Sequence, residues 1–257
     1  MSVTEASSSS LLGRDDPSPV IVLNPGAGSE ILIICDHAGR RLPRGLGSLG
    51  LDEADLDRHI AWDIGAEGLS RRLGRRLGAT VVQQAYSRLA IDCNRAPGAE
   101  DSIVAMSDGT LVPGNQGLSA ADREARRTAI HAPYHAAIAA ELDRRPRPVV
   151  AIHSFTPVMR DFARPWQAGV LHLENSPLSY AVLKALQAEG DLVVGDNEPY
   201  RMDGTDYTIP HHACGRGLDY VELEVRQDLI AEEAGQEAWA QRLARLLPIA
   251  LESSGRS

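Results

Sequence analysis

Two rhythms of apolar and polar residues alternate along the chain. Short, nearly unbroken apolar runs at 31–35 (ILIIC) and 148–155 (PVVAIHSF) suit strands buried on both faces of a sheet, and each run carries or meets a histidine at its end. Longer segments repeat their apolar residues at helical spacing. From Asp52 to Leu77 the series Leu56, Ile60, Ile64, Leu69, Leu73 and Leu77 predicts one helical stripe, which Gly78 can terminate. A second helix is expected from the Ser119 N-cap through Arg145, kinked or split at Pro133. Strand material is expected at 79–86 and 88–92, broken at the Ser87-Arg88 corner, followed by a loop over Ala96–Gly117 that is dense in Gly, Pro, Asp and Ser. After VLHLE (170–174), a helix over 176–190 and a short LVVG, the run VELEVR at 221–226 alternates strictly. That alternation puts Glu222, Glu224 and Arg226 on one face and Val221, Leu223 and Val225 on the other. A closing helix is expected from Gln227 to Leu251.

Strands alternating with helices predict an α/β domain with an open, largely parallel sheet. Such sheets bind ligands at the carboxyl ends of their strands. The Ser-rich, Asp- and Pro-containing residues 1–19 bury too little apolar surface to offset ordering and are read as a flexible tail, leaving 20–257 as a single domain. No internal repeat is evident.

Composition narrows the function. Hydrophobic residues at 43% and charged residues at 24% match a folded chain rather than a disordered one. A net charge of -9 argues against nucleic acid as a partner, because phosphate-backbone binding needs clustered cations. Lys184 is the only lysine, so nearly every cation is an arginine able to grip a carboxylate with two bonds. Cys35, Cys93 and Cys214 are scattered and odd in number, which disfavours a disulfide framework or a cysteine zinc site. No signal-like start and no run near ~18 apolar residues is seen, so no membrane partner and a cytoplasmic location are expected.

Against that background the strand-end histidines, His37 and His153, stand out as a pair that would emerge at one sheet edge, where neutral imidazoles suit zinc. A third ligand is needed. The HxxE spacing is absent, since Arg40 stands three residues after His37; Asp63 in HIAWDIG is the better candidate, with Asp36 and His59 behind it and an internal salt bridge as the structural alternative. Glu224, set among aliphatic residues, is the candidate general base, because burial can lift a carboxyl toward a useful range. Alternation alone does not separate it from Glu222, nor exclude a solvated stripe on an edge strand. YSRLAIDCNR (86–95) gathers Arg88, Asp92, Asn94 and Arg95, either to hold substrate carboxylates with Asp92 fixing an arginine or as a salt-bridged corner. The later loop carries Asn197, Tyr200, Thr208, His211, His212 and Arg216 and suits a binding wall or ordinary surface.

DHAG (36–39), YSRLAIDCNR (86–95), AIHSF (151–155), NEPY through DYTIPHHA to RG (197–217) and ELEVRQDLI (222–230), in this order, resemble the N-formylglutamate amidohydrolase family over about residues 30–250. The resemblance implies a three-layer α/β/α fold with a mixed, largely parallel sheet, similar to zinc carboxypeptidases and cell-wall amidases. It implies hydrolysis of a small acidic N-acyl amino acid, typically N-formyl-L-glutamate in histidine catabolism, with Zn²⁺ or another divalent ion. By motif, His37 and His153 match the metal histidines and Glu224 the acid/base; Asp63 is the expected third ligand. Arg226 is expected beside Glu224, and Arg88, Asn94, Arg95, Ser154, Asn197, Tyr200 and His212 around the substrate, with Arg160 as a further cation. DHAG in place of an SHxG-like start suggests a divergent branch. The alternatives are an amidase acting on a larger acylated peptide or cell-wall fragment, and a noncatalytic small-acid binding protein.

Overall fold

The alternating segment that could have been a solvated edge lies in the middle of the molecule. The computed structural model describes residues 11–173 and 176–255. Its strands in chain order are β1 (Val20–Leu23), β2 (Leu32–Cys35), β3 (Thr80–Gln84), β4 (Met106–Ser107), β5 (Thr110–Leu111), β6 (Val149–Phe155), β7 (Val158–Met159), β8 (Phe162–Ala163), β9 (Ala168–Leu171), β10 (Val194–Asp196) and β11 (Tyr220–Arg226). One mixed sheet runs β1-β3-β2-β6-β11-β9-β10, while β4-β5 and β7-β8 are separate hairpins. Strands β3, β2, β6 and β11 are mutually parallel; β1 and β9 run against their neighbours β3 and β11. Because β11 lies between β6 and β9, its residues from Tyr220 to Val225 are all buried.

Helices α1 (Glu53–Leu56), α2 (Ala66–Leu77), α3 (Ala120–Arg126), α4 (Ala132–Arg144), α5 (Pro177–Ala188), α6 (Thr208–His212) and α7 (Glu233–Ser253) complete the chain. The period of two sorts each strand into two cores. Ile33, Val150, Leu223 and Val225 meet Leu69, Leu73, Val182 and Leu243 from α2, α5 and α7. Leu32, Ile34, Val149 and Ala151 meet Ile138 and Leu142 of α4 and Ile209 of α6. The result is the three-layer α/β/α arrangement.

Several expectations change. The stripe from Asp52 to Leu77 is two helices with turns and bends between them, and the apolar spacing continues across the gap because Ile60 packs into a separate small core with Leu51 and Leu89. Residues 88–92 are a turn over 88–90 and irregular chain rather than strand: the Ser87 carbonyl accepts from Ala90 N–H, and the Ser87 hydroxyl donates to Ala61 O at 2.7 Å. The helix opened by Ser119 is split as Pro133 requires, with a π-helical turn over Arg127–His131 just before the residue that lacks an N–H. The final helix begins at Glu233, after a 3-10 turn at Gln227–Leu229. Within the expected tail, Leu11 and Leu12 pack on the α4-side core and Pro17 O accepts the Tyr86 hydroxyl at 2.8 Å, so 11–19 lie against the domain; residues 1–10 fall outside the described residues.

Candidate active site

Strand register assembles the site. Ile34 of β2 pairs with Ala151 of β6 in parallel, so Asp36 and His37, just beyond β2, and His153, in the last residues of β6, come to one edge of the sheet. On β6 the face holding Val149 and Ala151 toward the α4-side core continues to His153, and on β11 the face of Tyr220 continues to Glu222 and Glu224. Glu224 is the register partner of His153, and Glu222 that of Ala151. A strand face that is oily in its lower half therefore turns polar at the carboxyl edge.

Asp63 comes from the irregular stretch between α1 and α2. Its N–H donates to His37 O at 3.0 Å, and its own carbonyl accepts from Ala66 N–H at 3.1 Å. Gly65 follows at φ +83°, where a β-carbon would collide with the carbonyl oxygen of Ile230, so only glycine allows the turn into α2 at this closeness.

Three donor atoms converge. Asp63 Oδ2 lies 3.4 Å from His37 Nδ1 and 3.0 Å from His153 Nδ1, and one nitrogen of each ring and a carboxylate oxygen of Asp63 fall within 4.8 Å of one another. The imidazole centroids are 5.1 Å apart. On its far side His37 Nε2 donates to Asp92 Oδ1 at 2.7 Å, while His153 Nε2 lies 3.3 Å from Asp36 Oδ2. Since a carboxylate can only accept, Asp92 keeps the proton on Nε2 and leaves the Nδ1 lone pair of His37 facing inward. That Nδ1 is buried and has no hydrogen-bond partner. Two imidazoles and a carboxylate, each ring with one buried nitrogen that lacks a hydrogen-bond partner, His37 Nδ1 and His153 Nε2, fit a divalent cation with an open position.

Further contacts fix these groups. Arg88 grips Asp92 Oδ2 through Nη2 at 2.6 Å and Nε at 3.1 Å, with Nη1 3.5 Å from Asp63 Oδ1. Ser154 N–H donates to Asp63 Oδ2 at 3.2 Å. Asp36 accepts from the Thr208 hydroxyl at 2.8 Å, and Asn94 Oδ1 accepts from the N–H groups of Tyr207 and Thr208, tying α6 to the site.

Electrostatics separate the carboxyls into two kinds. Burial would raise Asp63, but the imidazoles of His37 and His153 beside it overcome that and hold the group ionised far below the usual range. Asp92 is likewise lowered, burial being outweighed by Arg88 and His37. Glu224 is instead pushed up to about 7 by burial, against the pull of His153, and Glu222 up to about 8 for the same first reason.

A cleft of about 510 Å³ opens onto this cluster. Of the residues singled out in the sequence, His37, Asp63, His153, Glu224, Arg88, Asn94, Arg95, Ser154 and Tyr200 line it. Three of the residues expected in catalytic or substrate-binding roles are elsewhere. Arg226 ends β11, and its guanidinium folds back onto Asp228 at 2.8 Å and Trp166 O at 3.4 Å as the chain turns into the 3-10 segment. Asn197 spends its amide on the backbone of His172, accepting at 2.9 Å and donating at 3.0 Å. His212 is 1% exposed and hydrogen-bonded to His135 at 2.9 Å, so it faces a buried histidine cluster rather than the cleft. Arg201, Asp206 and Glu222 line the cleft without having been assigned to it, and Asp92 and Asp36 back the two imidazoles. The DHAG motif held Asp36; its role behind His153 depends on the long-range packing of β6. Tyr200 is positioned by the buried Arg164, which reaches its hydroxyl at 3.1 Å and lies 4.8 Å over its ring.

The same fold is found in known proteins. A gene product of Agrobacterium tumefaciens of known crystal structure is 36% identical, with a TM-score of 0.92 over 96% of this chain and 100% of that one. An N-formylglutamate amidohydrolase from Ralstonia eutropha JMP134 shares the fold at 18% identity, with a TM-score of 0.67 over 92% and 98% of the two chains. No curated protein sequence gives a significant match. Residues 29–231, spanning every strand from β2 to β11 and all the cleft residues named above, match the family model described as N-formylglutamate amidohydrolase, and the chain belongs to that family of amide hydrolases.

Proposed function

We propose that this protein hydrolyses the amide bond of a small N-acyl amino acid, an N-formyl amino acid in the first instance, using a divalent ion held by His37, Asp63 and His153. The observation that carries the reading is the convergence of His37, Asp63 and His153 beside Glu224, the register partner of His153. Zinc is the first ion to test, because two histidines and one carboxylate with room for a further ligand suit it. Bound there, it would polarise the acyl carbonyl and acidify an adjacent water.

The chain's own groups supply the rest. Glu224, with its carboxyl at about 7, is poised near neutrality to take the proton of the attacking water and to return it to the nitrogen of the departing amino acid. Arg88, fixed by Asp92 with Nη1 near Asp63, presents a cation to the carbonyl oxygen as it gains charge. Arg160, at the β7-β8 turn, and Arg201 line the cleft and pair with no acid among the described residues, so they suit the substrate's α-carboxylate. Asn94 holds the α6 backbone that forms the neighbouring wall.

The test is formate release from a panel of N-formyl amino acids by zinc-loaded and chelator-treated protein. Zinc-dependent turnover supports the reading; equal turnover after verified metal removal overturns the metal's part in it, and no turnover of any member overturns the substrate class.

A further inference from the structure

Among the described residues Arg164, directly after β8, is a buried cation that pairs with no acid; it is 7% exposed. A guanidinium buried without a counter-charge is costly. Its Nη1 donates to Thr156 O at 3.3 Å, to Thr156 Oγ1 at 3.2 Å and to the Tyr200 hydroxyl at 3.1 Å. Its central carbon lies 4.8 Å from the centre of the Tyr200 ring and 5.7 Å from that of Phe155. Phe155, Thr156 and Tyr200 all line the cleft. Holding Thr156 asks only for a neutral donor, and packing on two rings only for an apolar side chain. A positive charge at this point of the wall has a further use.

The direction of the hydrogen bonds indicates which. A guanidinium only donates, so the Tyr200 oxygen accepts from Arg164 and the hydroxyl hydrogen turns elsewhere. Among the described residues that hydrogen meets no acceptor. Burial around the hydroxyl raises the phenol above its ordinary range, so it stays protonated at neutral pH. Arg164 holds Tyr200 by its oxygen and by its ring face together, which limits where the free O–H can point, and the charge behind the oxygen makes that O–H a stronger donor. A negatively charged oxygen accepting from it would supply Arg164, through the shared phenol, with the counter-charge that no nearby acid provides. N-acyl amino acids bring two such oxygens: those of the carboxylate, and the acyl carbonyl oxygen as water adds to its carbon.

We propose that Tyr200 is a hydrogen-bond donor to an anionic oxygen of the substrate, and that Arg164 is its positioning residue, committing the phenol oxygen to accept so that its hydrogen serves the substrate. The assignment rests on the N-acyl amino acid hydrolase reading above and adds a charge-backed neutral donor to the cations already placed around the substrate.

The experiment is a double-mutant cycle on the zinc-loaded full chain, comparing wild type, Tyr200→Phe, Arg164→Met and the double variant on the N-formyl amino acid turned over best. Tyr200→Phe is expected to lower kcat/KM by about tenfold or more. Arg164→Met is expected to lower it by a similar factor alone, and by less than about twofold when Tyr200 is already Phe. An arginine that merely held the wall would lower it by the same factor in both backgrounds, and that result removes Arg164 from the positioning role. A loss expressed in KM assigns the carboxylate as acceptor, and one expressed in kcat assigns the carbonyl oxygen. Unchanged kcat/KM in Tyr200→Phe means that the hydroxyl meets only water; it overturns the proposal and leaves the hydrolase reading intact. Cooperative unfolding checks each variant, and Arg164→Lys takes the place of Arg164→Met if the latter does not fold. Failure of both to fold makes Arg164 structural and overturns its part. No turnover of any N-formyl amino acid by the wild type overturns both readings.

Discussion

His37 and Asp92 are joined at 2.7 Å through Nε2, which turns the opposite ring nitrogen toward Asp63 and His153. Asp92 also holds Arg88 through its other oxygen. Replacing it by Asn leaves the shape but removes the acceptor charge that orients the ring and raises its basicity. Asp92→Asn is expected to weaken zinc binding about 10–100-fold, read by competition with a chromophoric chelator. An affinity equal to wild type would separate Asp92 from the ion.

Glu224→Gln should leave zinc stoichiometry unchanged while lowering kcat about 10²–10⁴-fold, because the amide cannot take a proton. The wild-type acid limb of kcat/KM should lie at or below about 7, where burial has moved the carboxyl and a nearby cation would draw it down again. Activity should therefore rise with pH through that range. A variant that keeps full kcat would remove Glu224 from proton transfer.

Metal removal has a second readout besides activity. The three groups converge only in the folded chain, so zinc at a hundredfold excess over its Kd should raise stability by about 2.7 kcal/mol, and a chelator should abolish that gain in thermal unfolding. His153→Ala should make unfolding insensitive to zinc. A zinc-dependent shift that survives in that variant would place the ion elsewhere.

Arg160→Ala and Arg201→Ala test the mouth of the cleft. If these side chains hold the α-carboxylate equally in ground and transition states, each substitution should raise KM with little change in kcat. A fall in kcat at constant KM would assign them to the chemistry instead.

The buried histidine cluster behind α6 should make the fold acid-sensitive. Burial, reinforced by neighbouring histidines, lowers His135 to about 4 and His212 to about 3, both below the ordinary 6.5. Between those values and 6.5 the unfolded chain binds more protons, so the contribution of each neutral ring is complete above about 6.5 and is lost as pH falls toward 4 and 3. From pH 7 to pH 5 each histidine should cost about 2 kcal/mol, measured by urea unfolding as the difference between wild type and His212→Asn. Parallel pH slopes for the two proteins would contradict this.

The elements that could be read in the sequence are those with a local signature. ILIIC and PVVAIHSF announce buried strands with His37 and His153 beyond or near their ends, and VELEVR fixes the common face of Glu222 and Glu224. The apolar setting of Asp63 is visible in the sequence, but the loop that presents it is hidden by aliphatic spacing that runs on through a break between two helices. Polar density at 197–216 could not tell which side chains point inward: Tyr200 does, while Asn197 and His212 serve the backbone and another ring. Arg226 is the last residue of β11, and its side chain turns away to Asp228 in the segment that follows, which alternation within the strand does not reveal. The partners of the imidazoles, Asp92 and Asp36, needed contacts across 55 residues or more to be recognised.

The glycine at 65 ties the two halves of the machinery together. Its bare α-carbon rests against the peptide at Ile230, just after the strand that carries Glu224, and it directly follows the turn that carries Asp63. The spacing of Glu224 from Asp63 is thus set by main chain abutting main chain. Neighbouring side chains can drift over evolution without altering that spacing, whereas a single methyl group at this one position would pry it open.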